Sequence, residues 1–456
     1  MNKYLIRYID FLQNVLNRGH ERSVKAKKNV LGLLALKGSG IAISFFLVPL
    51  TINYVEPTQY GIWITLSSLV AWLNYFDIGF GHGLRNKFSE ALANGETEKA
   101  RIYVSTTYFS LGAVIGLILI LFFIVNPFLN WANILNAKQE MATELSTLAL
   151  IVFVFFCLQF IFQLLSTVLT ANHEPAKASL LQTLGSFISL LIIFVLTKIT
   201  EGNLLYLGAV LSATPVVVMG IAGIWFYKTS YKQFSPSFRL FNLVYVRDLM
   251  GLGIQFFIIN ISVLVMLNTD NIVITQLLGP EKVTVFNVAY KLFTMISMIF
   301  ILIATPLWSA YTDAYTKGDF DWIKRTLKNV QKIWLLLGVL TIGVLFISPW
   351  FFKLWLGDTV HVPFTLSIAM TTYVISYIWM TIYTFLLNGM GKIRLQLYVA
   401  TIAGAIYIPL VIYFGKILGL EGITYLSTVF FIFTGIIYWV QTKKILNKTA
   451  VGLWDK

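Results

Sequence analysis

A single cysteine, Cys157, occurs in 456 residues. It leaves no internal disulfide and no thiolate metal cluster to be made, and in the middle of an apolar run it reads as a small packing residue. Histidine is nearly as scarce: His20, His82, His173 and His361 are scattered without ligand spacing, which argues against a metal centre. Charged residues make up 12% of the chain, about half of what a soluble protein carries. The phosphate loop GxxxxGK[ST] is missing, since Gly389-Met390-Gly391-Lys392 is too short, and with it goes an ATPase. Asp319-Phe320-Asp321 imitates the DxD of metal-dependent glycosyltransferases, but it sits in a connecting loop with no room for a nucleotide-binding domain. Long loops on the outer side are also lacking, which disfavours a polysaccharide polymerase or ligase. No covalent chemistry, cofactor or metal is therefore expected.

What the chain does have is apolar length. Hydrophobic residues make up 57% and the mean hydropathy is +0.77, which predicts an all-α polytopic membrane protein. Twelve apolar spans, each near the roughly 20 residues a bilayer core requires, lie near 31–53, 60–81, 102–126, 146–171, 178–198, 203–227, 249–276, 283–311, 333–352, 363–388, 395–415 and 421–441. The basic leader, with Leu5, Ile9, Leu12 and Leu16 on one face, is expected to lie as an amphipathic helix on anionic membrane lipid, and it lacks a cleavage pattern. The expected organisation is a cytoplasmic segment 1–29, a six-helix bundle 30–228, a linker 229–247, a second six-helix bundle 248–442 and a tail 443–456.

Orientation follows from Lys and Arg. With both termini in the cytoplasm, the inner segments carry 27 of these residues and the outer loops 5, while Lys37 and Lys291 fall inside spans. The net charge of +14 is thus a positive-inside signature, and no nucleic-acid partner is expected.

Tyr60, Trp63, Ser67, Asn74 and Asp77 share one side of the second span, a stripe expected to line a wet, sugar-sized cavity rather than to face lipid. The punctuation around that span returns in the second half. Val55-Glu56-Pro57-Thr58-Gln59 corresponds to Leu278-Gly279-Pro280-Glu281-Lys282, and Asn94-Gly95-Glu96-Thr97-Glu98 to Lys317-Gly318-Asp319-Phe320-Asp321, both at an offset of 223 residues. One offset for two separate loops predicts a duplicated architecture.

Intramembrane charges and aromatic faces supply the candidate cavity residues. Lys37 either faces water or a partner, or snorkels to the inner surface. Asp77 is a cavity group or an interfacial helix-end charge, and Arg85 an anion ligand or a positive-inside residue. In the seventh span Asn268, Asp270 and Asn271 cluster, with Asp270 near the outer third, and Asp270 and Lys291 of the eighth span either line the cavity or pair across adjacent helices. Tyr373 and Tyr377 of the tenth span offer rings that stack on sugars or form an interfacial belt. Gln159 and Gln163, one turn apart, are expected to join helices by hydrogen bonds.

The stretch Tyr75-Phe76-Asp77-Ile78-Gly79-Phe80-Gly81, then Asn94-Gly95-Glu96, Asn268-Thr269-Asp270-Asn271, Leu278-Gly279-Pro280 and Ala289-Tyr290-Lys291-Leu292 together resemble the Wzx-type polysaccharide flippases. These belong to the multidrug/oligosaccharidyl-lipid/polysaccharide (MOP) exporter superfamily, and the resemblance spans nearly the whole chain. It implies twelve transmembrane helices as a V-shaped pair of six-helix bundles working by alternating access. It also implies an undecaprenyl-pyrophosphate-linked glycan as substrate, moved from the cytoplasmic to the periplasmic leaflet of the bacterial inner membrane by a monomer. A polysaccharide polymerase and a chain-length regulator are expected partners. Lys37, Arg85 and Lys291 would meet the pyrophosphate, with Asp77 and Asp270 as ion-coupling sites. The alternative is a cation-coupled small-molecule antiporter like the MATE transporters, which calls for a compact acidic site.

Overall fold

The computed structural model describes residues 21–71, 80–172, 174–250 and 269–455. The elements in chain order are α1 Glu21–Ala71, α2 Phe80–Ala93, α3 Thr97–Val125, the short α4 Trp131–Ile134, α5 Ala142–Ala171, α6 Pro175–Ile199, α7 Leu204–Lys228, α8 Leu243–Met250, α9 Asp270–Leu278, α10 Pro280–Thr316, α11 Phe320–Leu356, α12 Phe364–Gly389 and α13 Arg394–Leu446. No strand occurs among the described residues. A spanning chain must satisfy its backbone within each segment, and helices do so.

Nine helices among the described residues are long and apolar enough to cross a membrane. The sequence predicts twelve spans, and the difference has identifiable sources. In α1 a non-helical residue, Glu56, separates two of the predicted spans, and in α13 Gly419 separates two more. The predicted seventh span falls mostly outside the described residues. So does most of the leader, together with Asn74, Asp77 and Asn268.

The chain forms two compact units. One comprises 1–54, 73–130 and 143–257, the other 55–72, 131–142 and 258–456. Residues 60–72 of the second predicted span are therefore grouped with the C-terminal part of the chain rather than with the helices that flank them in sequence.

The predicted duplication is visible in backbone detail. Gly95 and Gly318 both adopt positive φ, at 76° and 72°. In one loop the Glu96 N–H donates to Ala91 O (2.8 Å), and in the other the Asp319 N–H donates to Ala314 O (2.9 Å). Gly95 to Leu92 and Gly318 to Tyr315 follow the same offset of 223 residues, as do Asn94 to Glu90 and Lys317 to Asp313. Both loops are helix C-caps built on a left-handed glycine. Asp319 of the DxD imitation caps α11 by accepting from the Trp322 N–H at 3.0 Å, a structural use for that motif.

The proline turns match as well. Glu56 (φ 70°, ψ 157°) precedes Pro57, and Gly279 (φ 94°, ψ 161°) precedes Pro280, which opens α10. Proline suits a first helical turn because its missing N–H has no partner there in any case. Within the second unit these two turns meet reciprocally. Thr284 donates to Pro57 O at 2.6 Å, and a Cβ on Gly61 would collide with Pro280 O. Residues 57 and 284 contact as 280 and 61 do, which is the signature of an internal pseudo-two-fold relation.

Further along, the offset falls to 218 residues. Asn172 to Val168 and Glu174 to Leu169 parallel Met390 to Leu386 and Lys392 to Leu387, and Tyr231 to Phe226 parallels Thr449 to Lys444. The first copy is therefore five residues longer between these loops.

Candidate functional site

In the first unit four elements converge on a cavity of about 390 Å³. Lys37 comes from α1 and Arg85 from α2. Helix α5 contributes Gln163, Thr167 and Thr170, and α6 contributes Pro175, Ser179 and Gln182. Both triplets follow i, i+4, i+7, so each helix presents one continuous face. Among the described residues no Asp or Glu lines the cavity. Among the described residues neither Lys37 nor Arg85 has an ion-pair partner, and the side-chain amides of Gln163 and Gln182 have no hydrogen-bond partner. Some hydroxyls are already committed: Thr170 donates to Ser166 O at 2.7 Å, and Ser166 to Met219 Sδ at 3.8 Å. The donors that no described residue engages thus include two cations and two amides. That set suits an anion carrying polar substituents.

The second unit holds a different cluster. Asp270, the first residue of α9, is buried, at 8% exposure. It accepts from Tyr407 Oη at 2.6 Å, and Tyr407 Oη lies 2.8 Å from Ser427 Oγ. Of the two roles open to Asp270 and Lys291, the ion pair does not form among the described residues. The phenol of Tyr407 takes that place, and Lys291, half-buried on α10, has no ion-pair partner among the described residues. Asn271 donates to Ser68 Oγ at 2.8 Å, and Asn287 donates to Asn271 Oδ1 at 2.7 Å and to Val283 O at 2.9 Å. Thr65 and Thr275 share a hydrogen bond one turn away.

Tyr373 and Tyr377 stack at 6.3 Å, with Phe431 edge-on to both at 5.1 and 5.3 Å and Tyr290 edge-on to Tyr373 at 5.8 Å. Trp63 is buried, as is Tyr60 of the same stripe. Ser67 Oγ and Thr269 Oγ1 are buried without a hydrogen-bond partner among the described residues.

The structure therefore brings Lys37 and Arg85 together and gathers Asp270 and Asn271 into one network. It leaves Lys291 apart from Asp270. Gln163 does not join helices as expected; it faces the cavity, and Gln159 too makes no side-chain hydrogen bond among the described residues. Sequence reasoning missed Gln182, Tyr407 and Ser427. The spacing of Gln182 from Ser179 and Pro175 was a usable signal. Tyr407 gave none, because nothing in sequence relates it to Asp270.

A polytopic helical bundle with duplicated backbone turns and polar clusters among its helices is the architecture of a transporter. The solved structures agree on fold. A multidrug-resistance MATE-family transporter of the MOP superfamily, solved inward-facing, superposes with TM-score 0.70 at 16% identity, covering 90% of this chain and 100% of that one. A MATE transporter of Vibrio cholerae in its bent form gives 0.61 at 14% identity, covering 95% and 100%. This is the MOP fold.

The profile of the polysaccharide biosynthesis protein family matches residues 26–311, and the chain belongs to that family. The MatE profile matches 256–413. Among curated relatives, a protein of Yersinia pseudotuberculosis assigned to O-antigen export is 22% identical over 368 residues, 78% of this chain and 81% of the relative. A Salmonella typhi protein assigned to O-antigen transport is 20% identical over 394 residues, 85% and 90% of the two chains.

Proposed function

We propose that the protein is a flippase for a lipid-linked oligosaccharide, an undecaprenyl-pyrophosphate-linked repeat unit of O-antigen or another surface polysaccharide. It moves this unit from the cytoplasmic to the periplasmic leaflet of the inner membrane by alternating access, with no covalent chemistry. The observation that carries the reading is the cavity in which Lys37 and Arg85 stand with no ion-pair partner and no acidic lining residue among the described residues. Two neighbouring cations without a protein counter-ion repel each other, and a pyrophosphate bound between them relieves that repulsion and supplies acceptors for charge-assisted hydrogen bonds. Family membership and relatives assigned to O-antigen export point to the same substrate class.

We assign Lys291, Asn271, Tyr373 and Tyr377 to the path of the glycan, with Trp63, Asn74 and Asn268. Asp270 and Asp77 are the proposed ion-coupling groups. Two six-helix halves, 30–228 and 248–442, would rock about this path, with both termini cytoplasmic and the chain acting as a monomer. A polysaccharide polymerase and a chain-length regulator would receive the product.

The rival reading, a cation-coupled small-molecule antiporter, draws on the MatE match over 256–413 and on the buried Asp270. Deleting the gene in its host separates the two. Loss of one surface glycan, with its undecaprenyl-linked unit accumulating on the cytoplasmic side, is expected. Unchanged surface glycans together with new sensitivity to cationic dyes would transfer the assignment to the antiporter.

A further inference from the structure

The linker that follows α7 and leads into α8, residues 229–247, is not a free connection. Its start is pinned by Tyr231, which accepts from Asn172 at 2.8 Å and donates to Glu174 at 2.7 Å, and by Phe234, edge-on to Phe88 at 5.0 Å. Burial and the bond to Glu174 push the Tyr231 hydroxyl pKa up, so the phenol stays a neutral donor.

The linker then follows the first turns of α3. Arg101 donates to Ser235 O at 2.9 Å, Ser105 Oγ accepts from the Ser237 N–H at 3.1 Å, and Thr106 Oγ1 from the Asn242 N–H at 3.3 Å. Phe109 meets Phe238 at 5.1 Å, and Tyr103 meets Tyr245 at 5.1 Å. From Arg101 to Phe109 the helix rises about 12 Å. The linker thus runs from the end of a membrane helix to well inside its apolar part.

Its outward face is mixed in a specific way. Phe238, Leu243 and Val244 are 73%, 72% and 73% exposed. Lys232, Arg239 and Arg247 are exposed around them, and none has an ion-pair partner among the described residues. Asp248 is the one acidic residue between Lys228 and Met250. Water is a poor neighbour for three such apolar side chains fixed on a rigid support. Apolar side chains set among unpaired cations, beside the end of a membrane helix, match the boundary between acyl chains and anionic headgroups.

We infer that this linker is a lipid-binding element. Phe238, Leu243 and Val244 dip into the acyl boundary, and Lys232, Arg239 and Arg247 hold anionic phospholipid headgroups of the adjoining leaflet. The site is separate from the Lys37–Arg85 cavity and does not depend on which solute is carried.

The test uses the full chain with Cys157→Ser, labelled with an environment-sensitive fluorophore at Phe238→Cys or Val244→Cys, in vesicles of phosphatidylethanolamine and phosphatidylglycerol. Quenching by lipids spin-labelled near the carbonyl, with protection from aqueous iodide, is expected. Native mass spectrometry should show the unlabelled protein retaining phosphatidylglycerol over phosphatidylcholine. That preference should fall about fivefold per basic residue replaced in the series Lys232→Gln, Arg239→Gln, Arg247→Gln. Labels open to iodide and unaffected by the spin-labelled lipids overturn the proposal, and so does a folded triple variant that retains phosphatidylglycerol like the parent. Should the triple variant fail to fold, the two labelled proteins decide alone.

Discussion

The two polar clusters differ in how far their hydrogen-bonding capacity is used. In the first unit Lys37, Arg85, Gln163 and Gln182 surround about 390 Å³ of space with donors that no described residue engages. In the second, Asp270, Tyr407 and Ser427 satisfy one another, as do Asn271, Ser68 and Asn287. These four side chains are exposed, so leaving them unpaired costs the fold little, and two cations and two amides around one space are free to engage an anionic ligand. A closed network instead fixes helices against each other and can hold a proton or ion. Duplication supplied one backbone plan to both halves, and the chemistry then diverged on it.

The largest expected effect breaks the first side of that comparison. The double substitution Lys37→Gln, Arg85→Gln removes both cations and leaves the fold intact. Charge-assisted hydrogen bonds contribute roughly 1.5–3 kcal/mol each, so affinity for an undecaprenyl-pyrophosphate substrate should drop about 100-fold or more. The melting temperature in detergent should stay near the parent value, because exposed, unpaired side chains contribute little to stability. Binding to the purified protein by native mass spectrometry, beside complementation of a deletion strain, checks both halves. A variant that melts early but binds normally would make the pair structural.

The second cluster should respond the other way round. Tyr407→Phe keeps the ring, which lies edge-on to Phe430 at 5.5 Å, and removes the donor to Asp270. A buried carboxylate loses its hydroxyl partner, which costs on the order of 1–3 kcal/mol. The expected readout is a clear drop in melting temperature that Asp270→Asn does not deepen when added, since the two act as one unit. Full additivity of the two substitutions would show that they are independent.

Composition and Lys/Arg placement made the membrane class legible without any coordinates, and the 223-residue offset exposed the duplication from two short loops. Lys37 and Arg85 could be nominated as charges in costly places. Their meeting in one cavity could not be foreseen, because it needs the packing of α5 and α6 against α1 and α2, which periodicity does not specify. The one partner that sequence offered Asp270 was the wrong one for a related reason. Opposite charge on neighbouring spans is the only long-range signal a sequence offers, whereas Tyr407, 137 residues away, is found only by the fold. Glu56 was legible only as part of a turn; its backbone conformation comes from the structure.

A smaller effect sharpens the comparison between the copies. Glu56 and Gly279 occupy the same region of backbone space, one that glycine visits freely and that costs a side-chain-bearing residue on the order of 1–3 kcal/mol. Glu56 is exposed and makes no side-chain hydrogen bond among the described residues. Glu56→Gly should therefore raise the melting temperature, and Gly279→Ala should lower it. No change, or a loss, on Glu56→Gly would mean that the carboxylate has a partner whose contribution exceeds the backbone cost.

The smallest expected effect tests how equal the copies have remained. Gly95 and Gly318 share φ within a few degrees and make the same cap bonds, and no neighbouring atom would obstruct a Cβ at either. Replacing either with Ala should then cost only the left-handed backbone penalty, about 1 kcal/mol, and the two costs should agree. Parallel thermal melts of Gly95→Ala and Gly318→Ala measure the pair directly. Loops that carry identical hydrogen bonds but respond by different amounts would place the difference in what surrounds them. Asp319 caps the following helix with its side chain and Glu96 does not, so any inequality should appear as a milder loss at Gly318, where the extra cap still holds the turn. A larger loss at Gly318 would show that the side-chain cap depends on the glycine conformation rather than supporting it.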